Sequence, residues 1–372
     1  MLAGAARPRA LALLVLLLGS GAGCGLQHTQ EASAARIAWV KIAPGTSPSA
    51  TNITDVLYLP PLPGLRRRFG PFHDGGCGVD LTQDARWFAY CDWRFRVHLV
   101  DMRTLRQRLL GPRCRRLLGC RRGATGPAFS PDGRFLAIVT AAGPQLTPGP
   151  QVVYALGPRS VHRLGYAPSG ASWARTADEL AWSFGRGHRR FVAIARPGDL
   201  THPRIVRVRL SDRWTFSWDS WSWDDKGLLF WSERRPGGTA RSIRLAELSL
   251  SSGRTRTLAT LPQTTWKVRS DGYGATPIGP RIIASRYPVV RPAVPVFAVI
   301  EHGRALGIPP AGPVELGGCC TVNRQGTAAL LDWEDADVSY GYGIQVWKPG
   351  WRAVRELGAG VYAFWVYTGG AS

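Results

Sequence analysis

The residues of this chain best suited to chemistry fall into three groups. The first is "DWEDADVSYGYG" (332–343), where Asp335, Asp337 and Ser339 alternate as the oxygen ligands of a calcium loop do. Such a loop needs Gly at its sixth position and a bidentate Glu at its twelfth, and here those are Tyr340 and Val346. The stretch therefore reads as a polar loop between strands, and no metal is expected. The second group is "RWTFSWDSWSWDD" (213–225), which holds four of the 15 tryptophans. Exposed beside Asp, Trp214 and Trp218 would form a platform for sugar rings, with indole faces against C–H faces and carboxylates on hydroxyls. Trp221 and Trp223 fit better as fillers between packed sheets, where large aromatics bury most surface.

The third group is the cysteines. Apart from Cys24 there are six: Cys77, Cys91, Cys114, Cys120, Cys319 and Cys320. An even count outside the cytoplasm favours disulfides. Cys114 and Cys120 bracket a short basic loop, Cys77 and Cys91 could tie neighbouring strands, and the adjacent Cys319 and Cys320 either bridge each other or reach separate partners. Zinc is disfavoured, because there is no CxxC and no histidine pair at ligand spacing. His28, His73, His98, His162, His188, His202 and His302 are scattered singly. The chain has no G-x-S-x-G, no phosphate loop and no dinucleotide fingerprint. No catalytic residue and no cofactor is expected.

The N-terminus reads as an export signal. Arg7 and Arg9 precede the apolar run Ala10–Leu18, and the small residues Gly19–Gly23 lead to Cys24. The run is too short for a bilayer span, which takes roughly 20 residues. Gly21 to Cys24 resembles the lipobox of bacterial lipoproteins, with Gly21 where that family usually has Leu. The resemblance implies lipidation of Cys24 and a tether to the outer face of the cytoplasmic membrane. The expected organisation is a signal peptide (1–23), an anchored linker (24–34) and one folded domain (35–368).

Net charge is +22, with 47 basic residues against 25 acidic ones. The basic residues are almost all Arg and run along the whole chain, with dense spots in "LRRRFG" (65–70) and "RCRRLLGCRR" (113–122). They read first as solvated faces. In an exported protein the charge would attract anionic head groups and acidic wall polymers, and nucleic acid is not the expected partner.

These features are carried on a repeat. "PAFSPDGRFLAIVT" (127–140) places a Ser-Pro-Asp-Gly turn before a strand-forming run. Related units are "LTQDARWFAYC" (81–91), "WARTADELAWSF" (173–184) and "WSWDDKGLLFWS" (221–232), with weaker copies at 275–286 and 321–333. Taking Ala89, Ala137, Ala181, Leu229, Ala284 and Leu330 as equivalent points, the spacings are 48, 44, 48, 55 and 46 residues. That is close to the length of a propeller blade. Further β-rich runs and polar turns follow each unit, and no amphipathic helical stretch appears, which argues an all-β fold. The turn aspartates have a structural task, accepting hydrogen bonds from N–H groups two residues on, while Gly takes the left-handed conformation.

"FSPDGRFLAI" resembles the repeat of TolB-like, WD40-like β-propellers, and the resemblance extends loosely over 34–367. It implies the fold and no particular activity. "ARIAWVKI" (35–42) begins a unit without a preceding turn, and "GVYAFWVYT" (360–368) is a strand without a successor. The C-terminal strand is therefore expected to complete the first blade and close the ring. Seven blades are expected, with six or eight allowed by the degenerate copy near Ala284. The reading is a non-catalytic scaffold or binding module of the cell envelope, with an envelope protein or an anionic wall polymer as partner. Carbohydrate binding through Trp214 and Trp218 is the alternative, followed by a glycosidase using funnel carboxylates. Non-reducing peptide mapping should find the six cysteines bridged; six free thiols would contradict the disulfide reading.

Overall fold

The computed structural model describes residues 35–42, 51–59, 69–72, 79–91, 96–110, 124–142, 147–156, 161–166, 171–186, 189–200, 202–209, 214–234, 242–262, 275–285, 297–308, 316–335, 341–359 and 361–367. They form 28 strands in seven four-stranded antiparallel sheets, with one 3₁₀ turn at Pro197–Asp199.

The first sheet holds β1 (Ala35–Ile42), β2 (Thr51–Leu59) and β3 (Phe69–Phe72). The second holds β4 (Val79–Leu81), β5 (Trp87–Cys91), β6 (Val97–Asp101) and β7 (Gln107–Leu109). In the third lie β8 (Ala124–Phe129), β9 (Phe135–Ala142), β10 (Thr147–Ala155) and β11 (Val161–Tyr166). The fourth comprises β12 (Ala171–Trp173), β13 (Leu180–Arg186), β14 (Arg189–Ala195) and β15 (Arg204–Val208). Strands β16 (Trp214–Trp221), β17 (Gly227–Arg234), β18 (Ser242–Ser249) and β19 (Thr255–Pro262) make the fifth. The sixth is β20 (Ala275–Ile278), β21 (Arg281–Ser285), β22 (Phe297–Glu301) and β23 (Arg304–Ile308). The seventh is β24 (Leu316–Val322), β25 (Ala329–Asp335), β26 (Gly341–Trp347) and β27 (Arg355–Ala359). The last strand, β28 (Val361–Tyr367), pairs antiparallel with β1 from Ala35↔Tyr367 to Val40↔Val361 and gives the first sheet its fourth strand.

The first strand of each sheet in this order, with β28 taking that place for the first sheet, touches its counterparts in the neighbouring sheets. The contacts run β4, β8, β12, β16, β20, β24, β28 and back to β4. These seven are the inner strands. The next strand outward is buried on both faces and so is apolar without alternation. Phe88-Ala89-Tyr90, Leu136-Ala137-Ile138, Leu180-Ala181-Trp182 and Leu228-Leu229-Phe230 are all buried. Seven buried clusters each draw on two neighbouring sheets, the last joining Trp39 and Trp365 of the first sheet to Leu330 and Ile344 of the seventh. This is an all-β propeller.

The turn of the repeat behaves as its chemistry requires. Ser130 Oγ donates to Asp132 Oδ1 and accepts from Phe135 N–H, while Asp132 Oδ1 accepts from Arg134 N–H at 3.0 Å. Thr82 with Asp84, and Ser222 with Asp224, repeat the pattern. The left-handed residue is Gly133 in the third sheet and Gly326 in the seventh, but Ala85 and Asp225 in the second and fifth. The copy near Ala284 is degenerate for a physical reason: β20 and β21 pair up to Ile278↔Arg281, leaving only Gly279 and Pro280 in the turn and no place for the Ser and Asp.

Hydrogen bonds between inner strands tie sheet to sheet. Trp173 Nε1 donates to Ala128 O, Trp221 Nε1 to Ser172 O and Trp365 Nε1 to Thr321 O, at 2.8–2.9 Å. Trp221 is thus a wedge between sheets, as its place in the repeat implies. Trp39 is the counter-example, since its indole N–H is buried with no partner among the described residues. Trp221→Phe should lower unfolding free energy by about 1–3 kcal/mol, because it leaves a buried carbonyl unpaired. Trp39→Phe should cost clearly less in the same urea titration, and equal losses would contradict the tie.

Candidate functional site

The repeat aligns Leu81, Phe129, Trp173, Trp221 and Val322 as the last residues of their inner strands. Trp365 joins them, because its indole bonds the preceding sheet as those of Trp173 and Trp221 do. Two residues further on stand Gln83, Pro131, Arg175, Trp223, Arg324 and Tyr367. In the second, third and fifth sheets the turn's side-chain hydrogen bonds use its neighbours and leave this position free. In space these side chains gather at one end of the inner strands, around a cavity of about 240 Å³. Gln83, Pro131, Arg175, Arg324 and Tyr367 line it, with apolar walls from Phe129, Trp173, Phe364 and Trp365.

Arg175 reaches from the fourth sheet to the fifth and seventh. It donates Nη1–H to Trp223 O (3.2 Å) and Nη2–H to Asn323 O (3.5 Å), and its guanidinium lies 3.5 Å from the Trp223 ring centroid. Burial draws its pKa below the usual arginine value, opposed by Asp225 and Tyr367. Asp225 occupies the turn's left-handed position in place of Gly. Its carboxylate accepts from the backbone N–H groups of Arg175 and Thr176, both at 2.8 Å, and from Thr176 Oγ1 at 2.5 Å. The strain of that residue, of order 1 kcal/mol, is offset by charge-assisted bonds that hold the Arg175 turn. Trp223 leaves no room for a side chain at residue 326, where a Cβ would stand 2.3 Å from its ring, so Gly is required there.

The opposite wall is a second network. Arg324 Nε–H donates to Gln83 Oε1 (2.7 Å), Arg324 N–H donates to Tyr367 Oη (2.6 Å), and Tyr367 N–H donates to Gln83 O (2.7 Å). The Arg324 guanidinium lies over the Tyr367 ring. Burial raises the Tyr367 phenol pKa, opposed by the Arg324 N–H and by both guanidinium charges.

Asp80, one residue before Leu81, lies on the cavity wall where the other repeats carry Ala128, Ser172, Ser220 and Thr321. Its Oδ2 accepts from Phe129 N–H (2.6 Å) and its Oδ1 from Leu81 N–H (2.8 Å). Desolvation pushes its pKa up to about 7 despite those two bonds, so the acid form is populated near neutrality.

The residues singled out from sequence lie elsewhere. Trp214 and Trp218 belong to β16 rather than to a loop, since pairing with β17 extends to Trp214↔Arg234; their side chains lie outside the described residues. Cys91 is in β5 and Cys319 and Cys320 in β24, again without described side chains. Cys24, Cys77, Cys114 and Cys120 lie outside the described residues. The acidic stretch enters β25 through Asp335, and residues 336–340 are outside the description. Among the described residues no group of three or more His, Cys, Asp or Glu could hold a metal. Asp80, Arg175, Arg324 and Tyr367 escaped the sequence reading. The available signal for Arg175, Arg324 and Tyr367 was a shared repeat position at which chemistry changes from copy to copy.

No family model matches the chain, and no curated protein sequence matches it. Solved structures do. A prolyl endopeptidase is 10% identical over 96% of this chain and 54% of its own, at TM-score 0.53. An oligogalacturonate lyase in complex with manganese is 12% identical over 80% and 82%, at TM-score 0.52. TolB from Acinetobacter baumannii is 16% identical over 90% and 67%, at TM-score 0.45. The chain spans about half the length of the prolyl endopeptidase. At these identities the likeness shows the fold alone. With the seven four-stranded sheets, it makes the chain a β-propeller. Catalytic and non-catalytic proteins share this architecture, so the fold does not choose between them.

A raised carboxyl pKa has a sign. The folded state binds the Asp80 proton more tightly than the unfolded chain, so the stability from this group is full below pH 4 and is lost as pH rises to about 7. Asp80→Asn keeps an acceptor and cannot ionise. Urea midpoints should therefore favour the variant more at pH 8 than at pH 4.5. An unchanged difference would mean that Asp80 does not titrate in this window.

Proposed function

We propose that this protein is an exported, lipid-anchored β-propeller that serves as a non-catalytic binding module in the cell envelope, engaging its partner at the turn end of the inner strands. The observation that carries this reading is the convergence of Gln83, Pro131, Arg175, Arg324 and Tyr367, from five sheets, on one cavity. A cavity at the meeting point of radially arranged sheets is where such folds take ligands.

The seven sheets are read as seven blades of one ring, closed by β28 on β1. The cyclic contacts of the inner strands and the shared core of the first and seventh sheets support this. Export and lipidation rest on the apolar run before Cys24 and its small-residue approach. The +22 charge suits a protein held near anionic head groups and wall polymers. Asp80 is the only carboxylate among the lining residues, whereas glycoside hydrolysis uses a pair. That favours binding over catalysis.

Cys24→Ser should move the protein from the membrane fraction to the soluble one; retention would refute the lipid tether. A photo-crosslinking residue at Gln83 should yield a discrete adduct in intact cells, and one at the outer-edge residue Leu306 should not. Equal labelling from both positions would contradict a turn-end site.

A further inference from the structure

Resting on the reading that the turn-end cavity is the binding site, we propose that its occupant is a carboxylate carried on an apolar body. The cavity's charged side chains are two guanidiniums and one carboxyl, and the guanidiniums are Arg175 and Arg324. Arg324 uses its Nε–H on Gln83, and its terminal amino groups have no hydrogen-bond partner among the described residues. A guanidinium held at Nε and over an aromatic ring presents those two groups as a preformed fork, the geometry that pairs with a planar carboxylate. Phe129, Trp173, Phe364 and Trp365 supply apolar wall beside it. The volume, about 240 Å³, is below that of a drug-sized pocket, so it takes a small acid or the end of a longer chain.

Asp80 fits this assignment rather than opposing it. An ionised carboxylate on the wall would repel the ligand, but desolvation favours the acid form up to about pH 7. In that form the group can donate a hydrogen bond to a bound carboxylate. The other titratable groups lining the cavity are Arg175 from the turn after β12, Arg324 from the turn after β24, and Tyr367 of β28; β8 and the turn after it contribute none. Asp80 is the lining group whose raised pKa brings its change of charge into this range.

Calorimetric titration of the full-length protein tests this with four probes. They are N-acetyl-leucine, N-acetyl-leucinamide, an acetylated peptide ending in a free-acid leucine, and inorganic phosphate. The two acids should bind, the amide should bind at least tenfold more weakly, and phosphate should show no saturable heat. Peptide binding tighter than N-acetyl-leucine assigns the site to a chain terminus, and equal affinity assigns it to a free small acid. Arg324→Ala should weaken the acids at least tenfold, with Arg324→Lys recovering part of the loss. Acid binding to the wild type should weaken between pH 6 and pH 8, and binding to Asp80→Asn should not. Equal affinity for acid and amide in the wild type overturns the proposal whatever the variants do. If Gln83 crosslinks persist while no acid binds, only the carboxylate assignment falls; if both fail, the turn-end site falls too.

Discussion

The structure depends on how the inner strands satisfy their open edges. Each ends a four-stranded sheet, so one row of its backbone groups has no fifth strand to pair with. Those groups are close to the protein interior, where unpaired N–H and C=O groups are costly. The solution is a bond from the neighbouring sheet. Indole N–H groups of Trp173, Trp221 and Trp365 reach carbonyls of the preceding inner strand, Asp80 accepts the Phe129 amide, and Tyr367 N–H reaches Gln83 O. Apolar burial between sheets supplies the bulk of the stability, but it is non-directional. The edge bonds fix which residue faces which across each contact.

That constraint also builds the site. Because the ties anchor the ends of inner strands, the residue two places on emerges at a matching height in six sheets, the sixth having only Gly279 and Pro280 in its turn. In the second, third and fifth sheets a Thr or Ser before it and an Asp after it close the turn and leave the position between them free; Ala174 and Thr176 flank it in the fourth sheet, and Asn323 and Gln325 in the seventh. Arg175, Trp223, Arg324 and Tyr367 stand at this position and bond one another across sheets. Asp225 extends the logic, replacing the turn's Gly to clamp the Arg175 backbone. The cavity is a by-product of repetition whose chemistry is set by a few departures from the repeat.

What could be read from sequence follows from this division. The Ser-Pro-Asp-Gly turn and the buried triplet after it are local patterns, dictated by backbone hydrogen bonding and by burial on both faces. They were legible, and so was Trp221 as a wedge. The pairing of the C-terminal strand with β1 was legible too, because one strand lacked a preceding turn unit and the other lacked a successor. Arg175 and Arg324 were not, since an arginine in a chain with this many basic residues carries no signal until its place in the repeat is fixed. Asp80 was hidden likewise, because its partner Phe129 lies 49 residues away and only the sheet-to-sheet contact brings them together. That Trp214 and Trp218 lie within a strand was not legible, because β16 runs far longer than the short inner strands β4 and β12.

Native-state hydrogen exchange, resolved to single amides, tests the central claim most directly. If the edge bonds fix the contacts between sheets, the Phe129 amide and the Arg175 and Thr176 amides held by Asp225 should exchange only through global unfolding, with protection equal to that of the β9 and β13 core. Exchange of these three amides at the rate of the exposed outer strands β7 and β15 would show that the sheets pack without the bonds, and would contradict the account.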